Sequence, residues 1–133
     1  MAEFFSHSEE ETIAFAQKYA STLVPGDVVL LEGEMGAGKT AFAKGVAKGL
    51  GIQEEVTSPT YAYMNSYSDK LYHYDCYRIR SEMQAENLGL ADYFDAGGIC
   101  LVEWSENIAG LIPPHAKKVV LQKVGEDERK ILY

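Results

Sequence analysis

The sequence predicts an α/β fold: a single domain over residues 1–133, with a mixed β-sheet flanked by helices. Three observations carry this. Asp27 to Glu32 reads as a buried strand, runs into the glycine-rich stretch Gly33-Glu34-Met35-Gly36-Ala37-Gly38-Lys39-Thr40, and is followed by a helical stretch that stops at Gly51. Ile99-Cys100-Leu101-Val102 is a second continuous apolar run, and it ends in the acid Glu103. The chain has 133 residues, 47% of them hydrophobic, which is enough for one core and too few for two ordinary domains.

Each element has its own local signal. Ser8 followed by Glu11 makes a capping box for a helix running to about Leu23, with Ile13, Ala16, Ala20 and Leu23 on its apolar face. Pro25-Gly26 ends that helix and launches the strand at Asp27. After the loop helix, Val56 to Thr60 is irregular, because the residue before Pro59 avoids the helical region. Tyr61 to Tyr67 and Leu71 to Tyr77 are β-rich arms around Ser68-Asp69-Lys70, the spacing of an antiparallel hairpin. Ser81 with Gln84 caps a short helix ending near Gly89. Lys118 to Val124 and Arg129 to Leu132 read as two strands joined across Gly125-Glu126-Asp127. In such a sheet, ligand is expected at the carboxyl ends of the core strands.

Bulk properties exclude several functions. The net charge is -8, from 20 acidic against 12 basic residues, and only three residues are arginine. Nucleic-acid and anionic-membrane binding both draw on Lys and Arg, so the chain is a poor candidate for gripping either by itself. Cys76 and Cys100 form no C-x-x-C pair and no metal set, and read as reduced core residues. The stretch Met1-Ala2-Glu3-Phe4-Phe5 lacks the basic region and long apolar run of a signal peptide, no stretch approaches a membrane span, and a cytoplasmic location follows by default.

Residues 33–40 match G-x-x-x-x-G-K-[ST] at every fixed position and lie between strand and helix, as that motif requires. Glycines let the backbone curl around a β-phosphate, and the helix N-terminus adds N–H groups and a positive dipole end. Lys39 sets an ammonium against the β- and γ-phosphates, and the Thr40 hydroxyl is the expected Mg²⁺ ligand. The nucleotide-binding stretch is therefore expected over Glu34, Met35, Gly36, Ala37, Gly38, Lys39, Thr40 and Ala41, with ATP or ADP and Mg²⁺ as cofactors.

A triphosphatase also needs an acid beside Mg²⁺ and a group that orients water. Leu101-Val102-Glu103 has the apolar-then-acidic form of such a strand, with Glu103 as second metal-side residue. Alternation in His73-Tyr74-Asp75-Cys76-Tyr77-Arg78 puts His73, Asp75 and Tyr77 on one face, a carboxylate with a general base beside it; an Asp75 paired with Arg78 or Arg80 on an exposed edge is the plainer reading. Lys39, Asp75 and Glu103 are the candidate catalytic residues. Hydroxyls of Thr57, Ser58 and Thr60 can approach Mg²⁺ and release on hydrolysis, as a switch does, or Pro59 simply marks a turn. The single tryptophan, Trp104, either stacks on a partner beside the acid or fills the core, and core packing is the default reading.

Five segments in register carry a resemblance: Gly36-Ala37-Gly38-Lys39-Thr40, Ser58-Pro59-Thr60-Tyr61, His73-x-Asp75-x-Tyr77-Arg78, Glu86-x-x-Gly89-Leu90-x-Asp92-Tyr93 and Val102-Glu103-Trp104-Ser105-Glu106. Together they resemble the bacterial tRNA threonylcarbamoyladenosine biosynthesis ATPases, the TsaE family, from about Ser8 to Pro114. The resemblance implies a compact P-loop NTPase-like fold and a weak intrinsic ATPase that is monomeric alone. It implies action with a TsaB–TsaD heterodimer that transfers a threonylcarbamoyl group to N6 of adenosine 37 in tRNAs reading codons that start with A, so that tRNA is met only indirectly. It places the family's loop residues on Lys39 and Thr40, its switch region on Ser58 to Thr60, its functional aspartate on Asp75, and its Mg²⁺-side glutamate and tryptophan on Glu103 and Trp104. Met35 and Ser105 depart from the commoner leucine and proline.

Three rivals stand beside this. A small-molecule P-loop kinase needs a basic lid, for which Arg78 and Arg80 are the available residues. A GTPase switch finds its D-x-x-G only in Asp95-Ala96-Gly97-Gly98, which precedes its strand, and no Asn-Lys-x-Asp is present. A nucleotide-binding adaptor without turnover is the third.

Overall fold

Among the described residues, seven strands build one mixed sheet in the order β1-β7-β6-β2-β5-β4-β3. They are β1 (Glu3–Ser6), β2 (Val28–Glu32), β3 (Met64–Tyr67), β4 (Leu71–Asp75), β5 (Ile99–Glu103), β6 (Lys117–Lys123) and β7 (Arg129–Leu132). The helices are α1 (Glu9–Ala20), α2 (Lys39–Gly49) and α3 (Glu82–Asn87), with 3₁₀ turns over Leu90–Asp95 and Ser105–Leu111. This computed structural model describes residues 1–59 and 62–133, so Thr60 and Tyr61, expected in the switch-like loop and the first hairpin arm, lie outside the described residues. Among the described residues no helix is long and apolar enough to cross a membrane. The expected α/β architecture with a mixed sheet is present. The chain packs as two compact units, one of Met1–Leu23, Leu31–Thr57 and Lys118–Tyr133, the other of Val24–Leu30 and Ser58–Lys117.

In the first unit α1 starts as read: Ser8 Oγ accepts from Glu11 N–H, and Glu11 Oε1 accepts from His7 N–H. It ends at Ala20, short of Leu23, because Ser21 and Thr22 hydroxyls donate to the Lys18 and Tyr19 carbonyls and close the last turn. Ala16 and Ala20 are buried as expected, and the buried Thr12 joins them, its Oγ1 2.7 Å from Ser6 Oγ. Helices α1 and α2 touch backbone to backbone: a Cβ on Gly45 would stand 2.3 Å from Ile13 O and 2.5 Å from Ala16 Cβ. Phe15 is the centre of an aromatic group, with Phe4 and Tyr133 rings at 4.6 and 4.9 Å. Strand β1 has no sequence signal. Its four residues form a strand because β7 offers an antiparallel edge, Glu3 opposite Leu132 and Ser6 opposite Arg129.

In the second unit the hairpin of β3 and β4 forms about the predicted turn but with shorter arms, Met64–Tyr67 and Leu71–Asp75, its turn held by Lys70 N–H to Tyr67 O with Ser68 and Asp69 both at positive φ. Strand β5 lies parallel to β4, Asp75 opposite Glu103. One face of this pair enters a core of Tyr72, Tyr74, Cys76, Phe94, Cys100, Val102 and Ile108. Tyr74 stacks on Phe94 at 5.3 Å and donates its hydroxyl to Leu90 O, so the deepest tyrosine leaves no orphaned oxygen. Cys76 and Cys100 are free and buried, and burial pushes their thiols up to about 12 and about 11. Asp27 caps the turn before β2, its carboxylate accepting from Val24 N–H at 2.9 Å and Lys117 Nζ at 3.2 Å. Burial raises its pKa, yet the Val24 and Lys117 bonds prevail and hold it below the usual carboxylate value.

Two outcomes follow for stability. Alanine gains about 1 kcal/mol over glycine inside a helix, but at Gly45 the Cβ meets a backbone carbonyl that cannot step aside. Gly45→Ala therefore lowers stability by about 1–3 kcal/mol in urea denaturation. Asp27 has a lowered folded-state pKa, so its contribution is fully present above the unfolded value of 3.8 and is lost as pH falls through the folded value. Asp27→Asn lowers stability by about 1–2 kcal/mol at pH 7 and flattens the loss between pH 5 and pH 2, in the same assay.

Candidate functional site

The glycine loop belongs to the first unit. It leaves β2 after Glu32 and enters α2 at Lys39. Gly36, at a variable position of the motif, and Gly38, its second fixed glycine, have φ of +84° and +102°, which side chains disfavour, so these two glycines hold the curl of the loop. Ala37 N–H donates to Glu34 O at 3.0 Å and Phe42 N–H to Gly38 O at 2.9 Å. Gly38 caps α2 without a side chain, and no acid lies in the first turn of that helix. No carboxylate or hydroxyl of the cap competes with an anion for the helix N-terminus, and the dipole favours negative charge there. Glu34, Met35 and Gly36 are exposed, Lys39 is half-buried, Thr40 is exposed, and Ala37 and Ala41 turn inward, so these two offer a ligand only backbone.

Arg129, at the start of β7, was missed as a loop neighbour. Its Nη2 donates to Gly36 O at 3.0 Å, while Nη1 donates to the carbonyls of Gly125, Glu126 and Glu128. One guanidinium thus ties the β6–β7 turn to the glycine loop. The sequence reading sought its arginine at Arg78 and Arg80, which are exposed, Arg80 giving its N–H to Gln84 Oε1. Nothing local to Arg129 announces a partner 93 residues away.

The acids belong to the second unit. Parallel pairing ends β4 and β5 side by side at their carboxyl ends, with Asp75 and Glu103 in register and only 9% and 6% exposed. Asp75 Oδ1 accepts from Tyr77 N–H at 3.0 Å, and its own N–H donates to Tyr63 O, so the turn after β4 fixes it and the exposed edge with arginine does not arise. His73 shares the face with the acids, as alternation predicted, but its partner is Glu103: Nε2 to Oε2 is 2.6 Å. Trp104 packs against the rim of the core, as expected, and is not enclosed by it. It is half-buried, its ring 4.9 Å from the exposed Tyr77, and it takes φ +57° directly after Glu103. A left-handed tryptophan stores strain of about 1–2 kcal/mol, which makes the chain turn sharply at the acid. Thr57 and Ser58 are exposed and Pro59 buried.

The donor chemistry suits a hard cation bound with a polyphosphate. Mg²⁺ takes hydroxyl, carboxylate, water and phosphate oxygens, one or two carboxylates sufficing. Within the first unit Thr40 offers a hydroxyl in the first turn of α2; within the second unit Asp75 and Glu103 offer two carboxylates at the ends of β4 and β5.

Residues 6–131 match the family model described as threonylcarbamoyl adenosine biosynthesis protein TsaE. The tRNA threonylcarbamoyladenosine biosynthesis protein TsaE of Bacillus subtilis is 46% identical, over 93% of this chain and 79% of the relative. The protein of the same name from Treponema pallidum is 38% identical over 95% of both chains. The crystal structure of Bacillus subtilis YdiB superposes with a TM-score of 0.83 at 41% identity, covering 98% of this chain and 82% of that one.

Arg129→Ala removes four hydrogen bonds and with them the tie between turn and loop. Amide hydrogen exchange at residues 34–38 rises about tenfold or more, since each 1.4 kcal/mol of lost local stability is tenfold; protection equal to that of the unsubstituted chain would mean the tie is idle.

Proposed function

Because the chain belongs to the TsaE family of threonylcarbamoyl adenosine biosynthesis proteins, we propose that it is an ATPase of that pathway. It hydrolyses ATP to ADP and phosphate, slowly alone and faster with a TsaB–TsaD pair that threonylcarbamoylates N6 of adenosine 37 in tRNAs reading codons that start with A. The observation that carries this is the complete G-x-x-x-x-G-K-T loop, running into a helix N-terminus with no side-chain cap, inside the residues that match the family.

In this reading the loop N–H groups and the α2 N-terminus cradle the β-phosphate, and Lys39 neutralises charge as the γ-phosphoryl leaves. Thr40 and Glu103 are the residues that would hold Mg²⁺, which when bound neutralises phosphate charge. Asp75, fixed by the Tyr77 N–H, is the candidate for orienting the attacking water. The -8 charge supports a protein that meets tRNA through its partners. Energy enters by differential binding: the ATP and ADP forms must differ in affinity for the partner pair.

The test is ATP turnover by the purified chain, with and without the TsaB–TsaD pair. Slow turnover alone and a clear rise with the pair are expected, and Lys39→Ala abolishes both while weakening ADP binding. Equal fast turnover with and without the pair, or a phosphorylated small molecule in place of free phosphate, would overturn the reading in favour of a kinase.

A further inference from the structure

We propose that His73 is a positioning residue for Glu103, and that the imidazole holds the carboxylate in its working orientation without touching substrate. This rests on the reading of Glu103 as the Mg²⁺-side acid. Three observations carry it. The Nε2 to Oε2 distance is 2.6 Å, at the short limit for a nitrogen donor, where charge-assisted bonds are the shortest of their kind. The His73 side chain is 0% exposed and that of Glu103 8%, so the bond is made in a place from which water is nearly excluded. The contact is diagonal across the parallel pair: His73 lies opposite Leu101, and Glu103 lies two residues further along β5.

The direction of the bond follows from inventory. A carboxylate only accepts, so Nε2–H donates. Nδ1 has no hydrogen-bond partner among the described residues and is buried. A fully buried ring whose Nε2 is engaged has no atom with which to reach a substrate or an attacking water. The general-base role read from its neighbourhood to Asp75 is therefore not the one this geometry builds. What the geometry builds is a fixed glutamate. A free glutamate loses rotamer freedom when it is ordered; a preformed bond from His73 meets that loss during folding, before any metal arrives. The neighbouring acid is treated alike, with Asp75 held by the Tyr77 N–H. A partner of this kind usually changes metal affinity or activity ten- to a hundredfold when removed.

The experiment uses the full chain in four forms: unsubstituted, His73→Leu, His73→Gln and Glu103→Gln. Mg²⁺ affinity of the ADP-loaded chain is measured by titration calorimetry, with the melting temperature of the nucleotide-free chain beside it. His73→Leu is expected to weaken Mg²⁺ about ten- to a hundredfold, and His73→Gln, whose amide can still donate, to recover most of that. Unchanged Mg²⁺ affinity in His73→Leu, or a Gln variant as weak as the Leu variant, overturns the proposal. Should His73→Leu fail to fold, ¹⁵N NMR of the unsubstituted chain decides: a proton on Nε2, its signal shifted by Glu103→Gln, supports the bond, and a bare Nε2 refutes it. Glu103→Gln separates the two levels. If it leaves Mg²⁺ affinity unchanged, the reading of Glu103 fails and the proposal with it. If it weakens Mg²⁺ and His73→Leu does not, only the positioning fails.

Discussion

The parallel pairing of β4 with β5 is the constraint on which the second unit depends. Both strands are buried along their whole length, and parallel strands align their carboxyl ends. The register that sets Tyr74 beside Val102 in the core necessarily sets Asp75 beside Glu103 at the rim. A slip of one residue would move the core side chains of one strand to the other face and break both arrangements at once. Core packing and acid placement are therefore one decision, made by side chains such as Tyr74, Phe94 and Ile108 that carry no chemistry themselves.

Burying polar groups beside that core requires partners, and the structure supplies them in pairs. Tyr74 gives its hydroxyl to Leu90 O, and Asp27 accepts from Val24 and Lys117. The His73–Glu103 bond belongs to this class by burial, yet it lies at the strand ends where ligands of α/β sheets bind. The strained backbone of Trp104 marks the same spot. Strain and buried charge both weaken a fold, and their coincidence at one acid points to function there.

In the first unit the loop is set by backbone and not by side chains. Two left-handed glycines curl it, and α2 begins without a side-chain cap. Helix α2 can offer its N-terminus in a fixed direction because α1 packs against it at backbone distance over Gly45. Arg129 adds a tie from the β6–β7 turn to the Gly36 carbonyl.

Much of this was legible because it is local. The Ser8 and Ser81 caps, the glycine loop, the hairpin turn at Ser68-Asp69 and the apolar run ending at Glu103 each depend on residues within a few positions of one another. Backbone sterics and period-two alternation act at that range, so the order of strands and helices and the candidate acids could be read from them. The strand Glu3–Ser6, the partner of His73 and the reach of Arg129 could not. Glu3–Ser6 is a strand only because β7 presents an edge to it, the His73 bond spans 30 residues, and the Arg129 bond spans 93. The sequence by itself determined which residues can bind phosphate and which can carry charge, since those are properties of glycine, lysine and carboxylate side chains. Only the tertiary structure decided which carboxylate the histidine holds and which arginine meets the loop, because contacts between distant residues are chosen by how the sheet closes its core.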